Sequence, residues 1–289
     1  VSNVYGKAAP FINAYIKHMH DQVKTNSVHF SIWSQPNEVN YLGLKSIQTS
    51  DSLFTLALKA SEGNRALIKR VELAYLPVLY TKLYFRADGG TAYLRDDQMP
   101  ATLKKFKEII DRHQIKAIGD MAETYVNLNK FIEKVESKDK FYLDWSLLGP
   151  FDNADGNGLG RVLESEKRFD PKATYTGKGG IKVNWMKRDD RTSGYIDFVK
   201  FFSPNENVLA YAFRTVTLSE AKIMKFGVGS NDGVRVWING KLVLDRPDSR
   251  KAEVNQDLIS VSMNKGENTI LVKVDQLKRG WGFYFTERP

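Results

Sequence analysis

Three tryptophans in the second half of the sequence, Trp185, Trp237 and Trp281, stand in or beside predicted strands and loops. Asn231 and Asp232 occupy a polar turn just ahead of Trp237, and Arg246 follows shortly after it. An indole is flat and apolar, while an amide, a carboxylate and a guanidinium bond in fixed directions. Together they suit a small ring with one apolar face and a hydroxylated edge, as a sugar has. Tryptophans in such positions also seal the edge of a sheet core, and for each of them packing is the default role.

Other residue types in the chain could carry catalysis or bind metal, but their spacing argues against both. The doublets Asp96-Asp97 and Asp189-Asp190 supply paired acids. Glycoside hydrolysis needs two carboxyls about 5 to 9.5 Å apart across a cleft, whereas adjacent residues of a strand point to opposite faces. Both doublets read as turn residues, so no catalytic residue is assigned. The four histidines are His18, His20, His29 and His113, all in the first half. His18 and His20 are two positions apart on a predicted helix and point about 200° from each other, which prevents a shared metal. No HExxH or CxxC motif occurs, and there is no cysteine at all, which excludes disulfides and thiol chemistry. The glycine-rich run 152–160, DNADGNGLG, lacks the EF-hand spacing and the phosphate-loop pattern. It reads as a flexible connector with room for a weak structural calcium ion, and no cofactor is expected.

The elements that must position these side chains are of two kinds. Residues 229–245 read GSNDGVRVWINGKLVLD. Val234, Val236 and Ile238 alternate with Arg235, Trp237 and Asn239, and Asn239-Gly240 is the strongest short hairpin signal, because a tight primed turn wants positive φ at both residues. Further short strands are predicted over 141–151, 207–217, 222–228, 258–263, 269–274 and 282–285, with turns at 174–180 and 265–268. Phe226, Val236, Ile238, Ile270, Val272 and Phe283 are the expected core. Ahead of these strands, apolar residues recur at helical spacing over 7–23, from Ser50 or Asp51 to 60, from Asn64 to 85, over 101–112, and over 121–138 with Asp120 as cap. Pro77 should kink the third of these. The spacing therefore predicts an N-terminal α-helical bundle, residues 1–139, followed by a C-terminal antiparallel β-sandwich of jelly-roll type, residues 140–289.

Net charge is +9 over 289 residues, with 42% hydrophobic and 27% charged side chains. The basic excess is shared between both halves, so it reads as a solvated surface and not as a nucleic-acid stripe. No apolar run approaches the ~20 residues a membrane span requires.

Four separated segments carry a resemblance: Gly149-Pro150-Phe151, the DGVRVWINGK of 232–241, the GENTILVKV of 266–274 and Trp281-Gly282-Phe283. They resemble the galactose-binding-like β-sandwich accessory modules of bacterial polysaccharide-degrading proteins, and more loosely the sugar-binding domains appended to β-galactosidase-type enzymes. Tyr5-Gly6-Lys7-Ala8-Ala9-Pro10, with Tyr15-Ile16 and His20, is similar to the start of the helical region that follows the catalytic barrel in an α-glucuronidase-like bacterial family. That likeness covers about residues 4–135. In that family the reacting carboxylates belong to the upstream barrel, as barrel enzymes place them at strand ends. The resemblance therefore implies a noncatalytic C-terminal segment of a glycoside-hydrolase-type protein, with carbohydrate and the upstream barrel as partners and export to the periplasm or cell surface. Two other readings stay open at this point. One is a structural or protein-interaction module without sugar affinity, and the other is a complete enzyme.

Overall fold

The computed structural model describes residues 1–25, 36, 39–118, 126–188 and 190–289. An N-terminal helical region is followed by a region of antiparallel sheets, and the chain divides into two compact units. The first comprises Val1–Ser137 with Arg191–Ser193, and the second Lys138–Asp190 with Gly194–Pro289.

The first unit opens with a single turn, α1 (Ser2–Tyr5), and then holds α2 (Ala9–Thr25), α3 (Leu44–Ala60), α4 (Arg65–Ala87), α5 (Met99–Arg112) and α6 (Leu128–Val135). Helix α4 is the hub and packs on α3, α5 and α6. Its Val71, Tyr75, Val78, Leu79 and Leu83 are buried together with Phe54 of α3 and Phe106 of α5. Asn64 caps α4 by accepting a hydrogen bond from the Leu67 amide at 3.0 Å, and Pro77 lies inside the helix as the sequence indicates. Helix α3 starts at Leu44, well before the expected Ser50 or Asp51. Asp51 instead faces α4, where it accepts from the Tyr75 hydroxyl and from Lys82.

Of the helix expected over 121–138, residues 121–125 lie outside the described residues and Val126–Asn127 are strand; the helix runs from Leu128 with Asn127 as cap, whose side chain accepts from the Asn129 and Lys130 amides at 3.0 and 3.2 Å. Before it stands a two-residue pair, β1 (Ala117–Ile118) and β2 (Val126–Asn127), while Asp120 lies outside the described residues. The long apolar stripe expected on α2 is only partly used. Ile12 is buried, while Ile16 and Val23 remain exposed.

The second unit contains β3 (Lys140–Phe141), β4 (Ser146–Asp152), the helical turn α7 (Glu164–Lys167), β5 (Thr174–Thr176), β6 (Lys182–Asn184), β7 (Met186–Lys187), β8 (Ile196–Asp197), β9 (Val208–Leu218), β10 (Lys222–Asn231), β11 (Val234–Ile238), β12 (Lys241–Arg246), β13 (Asp257–Met263), β14 (Gly266–Gln276) and β15 (Gly282–Arg288). A six-stranded sheet runs β12-β11-β14-β9-β4-β7, and a five-stranded sheet runs β13-β10-β15-β3 with β8 also on β15. Every pairing is antiparallel. Alternation delivers Val234, Val236, Ile238, Ile270, Val272, Val274, Ala210 and Ala212 from one sheet, and Met224, Phe226, Val228, Phe283 and Phe285 from the other, into one shared core. All six residues expected in the core are buried there.

The predicted strand over 141–151 is two strands in two different sheets. Between them Trp145 is buried and donates its indole N–H to the Tyr142 carbonyl at 2.6 Å. The predicted turn 174–180 begins instead with β5, which pairs with β6. The run 152–160 is pinned at both ends. Asn153 is fully buried and its side-chain oxygen accepts from the Gly158 amide at 2.6 Å, while the carboxylate of Asp155 receives Arg161 at 2.8 Å through both oxygens. A connector expected to be loose is therefore fixed, and Asp152 and Asp155 already face the cations Lys178 and Arg161.

Candidate functional site

The outer face of the six-stranded sheet, the side turned away from the shared core, has a regular composition that follows from register. Trp237 pairs with Leu271 and Leu271 with Phe213, so an apolar row crosses β11, β14 and β9. Two residues along the strands, Thr269 pairs with Thr215 and makes a hydroxyl row beside it. In the other direction Lys273 pairs with Tyr211. Period-two alternation puts all of these on one face, because the intervening Ile270, Val272 and Ala212 fill the core.

A strap, residues 162–169, crosses this face above the Lys273–Tyr211 row. What holds it is an ion pair whose cation has no solvent contact: Lys273 is 0% exposed, and its ammonium donates to the partly exposed Glu166 at Oε1, 2.8 Å away, and to the Arg161 carbonyl at 2.5 Å. The Tyr211 hydroxyl donates to the same Glu166 oxygen at 2.6 Å, and the Leu163 amide reaches it at 3.3 Å. Burial pushes the Lys273 ammonium below its usual range while Glu166 pulls it back up, and burial with the neighbouring Glu166 carboxylate raises the Tyr211 hydroxyl.

The strap and the sheet together enclose a cleft of about 770 Å³. Its apolar walls are Trp237, Leu271, Phe213 and Phe169, and its polar lining includes Thr215, Thr269, Lys167, Arg168, Glu166 and Glu267. Phe169 lies flat on Phe213 with centroids 3.7 Å apart and planes 8° apart, and Trp185 meets both edge-on at 5.0 and 6.1 Å. Lys167 pairs with Glu164 at 2.8 Å, whereas Arg168 and Glu267 are exposed.

The six candidate residues are dispersed over three places. Trp237 forms part of the cleft floor, and Trp185 braces its aromatic wall from behind. Trp281 is wholly inside the core, edge-on to Phe198 and tilted against Phe202, and its indole N–H donates to the Val274 carbonyl at 3.1 Å. A ring without exposure offers no face to a ligand, so Trp281 is a packing residue. Asn231 ends β10, Asp232 is in the turn that leads into the hairpin and Arg246 ends β12, all apart from the cleft lining. Asp232 accepts from the Ser249 hydroxyl at 2.9 Å, and Arg246 and Arg250 both donate to Asp257. Asp232 and Arg246 are thus engaged with other residues nearby.

Phe169, Phe213, Leu271 and the threonine pair were not foreseen. The alternation in VLAYAFRTV holds a usable signal: Ala210 and Ala212 face one way and Leu209, Tyr211 and Phe213 the other, which means large residues on the face away from the core. Phe169 carries no such signal, since the strap has no period.

The acid doublets do not form a reaction site. Asp96 pairs with Arg86 at 2.6 Å and Asp97 with Arg95 at 3.1 Å, Asp190 pairs with Lys200 at 3.3 Å, and Asp189 lies outside the described residues. His18 bonds Ser46 through Nε2, at 3.1 Å to its hydroxyl, and His113 approaches Glu72 at 3.9 Å. His29 lies outside the described residues. Among the described residues no three histidines or acids are placed to hold a metal ion, and no helix is long and apolar enough to cross a membrane.

No protein-family model matches the chain, and no curated protein matches it. Among solved structures, the β-glucuronidase of Ruminococcus gnavus is 12% identical, covering 53% of this chain and 28% of that one, with a TM-score of 0.32. A glycosyl hydrolase family 2 member from Bacteroides cellulosilyticus is 14% identical, covering 50% and 20%, with a TM-score of 0.31. An anti-sigma factor domain-containing protein from Clostridium clariflavum is 17% identical, covering 50% and 42%, with a TM-score of 0.29. This chain spans less than half the length of each. The neighbours thus include glycoside hydrolases and anti-sigma factor proteins alike, and likeness of this degree does not choose between them.

Proposed function

We propose that the second unit binds carbohydrate without cleaving it, as the accessory segment of a longer glycoside-hydrolase-like protein whose catalytic barrel lies outside these residues. The observation that carries the reading is the cleft itself, in which a partly exposed indole, Trp237, lies in register with a second aromatic wall and beside a row of hydroxyls on a rigid sheet. Small-ligand sites combine apolar walls with a few placed polar groups in this way. The motif resemblance of residues 149–151, 232–241, 266–274 and 281–283 to sugar-binding modules supports the same reading, and with it export from the cell, which fractionation would test.

Two carboxylates, Glu166 and Glu267, also line the cleft, which is the inventory a glycosidase would need. Glu166, however, is the anchor of the strap: one of its oxygens already takes the Lys273 ammonium and the Tyr211 hydroxyl. A group so committed is poorly placed to pass a proton to a leaving oxygen. The folded chain is expected to release no aryl alcohol from aryl glycosides, and turnover that disappears with Glu267→Gln would overturn the noncatalytic reading.

Affinity electrophoresis through gels containing plant or host polysaccharides tests the binding itself. Retardation by at least one polymer is expected, and Trp237→Ala is expected to abolish it. Should the folded chain run unretarded in every gel, the alternative stands, a module that contacts only other protein and has no sugar affinity.

A further inference from the structure

We infer that the cleft takes an internal stretch of a linear oligosaccharide, three or more sugars long and laid across the strands, and not one terminal sugar. The inference rests on the carbohydrate reading above. It starts from the apolar row. Trp237, Leu271 and Phe213 sit directly opposite one another on three adjacent strands, so the row spans two inter-strand steps, roughly 10 Å. Its two ends are aromatic, with Trp237 at one and Phe213 at the other, where Phe169 lies over Phe213. A single pyranose stacked on Trp237 would leave the Phe169 end empty, and one stacked on Phe169 would leave Trp237 bare.

The hydroxyl row runs parallel to the apolar one. Thr269 and Thr215 are in register on β14 and β9, displaced by two residues along the strands, about 7 Å. A linear chain of pyranoses has the matching pattern, with ring faces along one side and hydroxyl edges along the other. The cleft also has room for it, since its 770 Å³ is well above the roughly 300 Å³ at which small-ligand sites begin. Beyond Trp237 the row meets its register partner on β12, Leu242, which is 43% exposed. The Trp237 end is therefore open across the strands, so a chain entering there need not terminate. On one flank the strap is fastened by the bond from the buried Lys273 to Glu166, which holds Phe169 in place before any ligand arrives.

The test is titration calorimetry of the full chain against ladders of one to six sugars prepared from cellulose, xylan, mannan and polygalacturonate. In at least one ladder affinity should rise about tenfold between the monosaccharide and the trisaccharide, as expected when a second ring gains an aromatic partner, and should level off by the hexamer. Trp237→Ala and Phe169→Ala should each erase most of that rise, and Trp237→Tyr should keep it. If Trp237→Ala does not fold, Phe169→Ala gives the same readout from the strap. A monosaccharide that binds as tightly as the hexamer, or a length dependence indifferent to both rings, overturns the chain inference while leaving sugar binding intact. Absence of binding to every ladder, together with absence of retardation in the polysaccharide gels, overturns both.

Discussion

At the scale of single residues, the side chain with the largest structural consequence is a lysine without solvent contact. Lys273 stands on the outer face of the sheet, where an exposed lysine would be ordinary, yet the strap covers it and leaves Glu166 as its counter-charge. Removing one partner of a buried pair strands the other charge, which costs about 3–5 kcal/mol. Glu166 keeps contact with the cleft and still accepts from Tyr211, so Lys273→Met is expected to lower stability by less than that, about 1–3 kcal/mol in urea unfolding, and the double change with Glu166→Leu to recover part of it. The double variant also frees the strap, so sugar binding should weaken even where stability returns.

Asp275 gives a pH dependence of defined sign. Burial, with Asp232 nearby, pushes its carboxyl up to about 6, although the Gly233 amide donates to it at 2.9 Å. A carboxyl raised above the usual ~3.9 favours the fold in its neutral form. Its contribution is complete below the unfolded value and is lost as pH rises through about 6. Asp275→Asn keeps an acceptor for Gly233 and removes the charge. We expect its melting temperature to exceed that of the parent at pH 7.5 and to change less between pH 4 and 7.

At the scale of elements, the hairpin was legible because its determinants are local. Asn239 and Gly240 take φ of 52° and 76°, as a primed turn requires. The structure adds a reason for asparagine that lies far away in sequence: Asn239 donates to Asn268 at 2.8 Å and accepts from the Thr269 amide at 2.9 Å, which ties the turn to β14. Gly240→Ala is expected to cost roughly 1–2 kcal/mol, since a left-handed backbone crowds any Cβ, and chemical denaturation would measure it. Helix α4 was legible for the same reason, with Asn64 as a local cap. Helix α6 starts at Leu128 because Val126 and Asn127, just ahead of it, pair as β2 with Ala117–Ile118, a contact across the chain that periodicity cannot sense.

At the scale of the whole molecule, two separate cores, one among helices and one between sheets, imply two melting events. Calorimetry should resolve two transitions, with Lys273→Met shifting the sandwich transition and leaving the helical one in place. A single transition that moves as a whole would show instead that the units unfold together.

Local chemistry in the sequence was sufficient to establish the order of helices before sheets, the hairpin with its Asn-Gly turn, and which strand residues face inward. Each follows from side-chain period and backbone preference within a few residues. The site was another matter. Trp237 was visible as an outward indole, but its apolar partners Phe213, Leu271 and Phe169 come from β9, β14 and the strap, 24 to 68 positions away, and Trp281, also a candidate in the sequence, lies sealed in the core. Register between distant strands decides which outward residues become neighbours, and a buried ion pair decides where the strap lies. Neither is a property of any local stretch of chain, so only the folded arrangement could join these residues into one cleft.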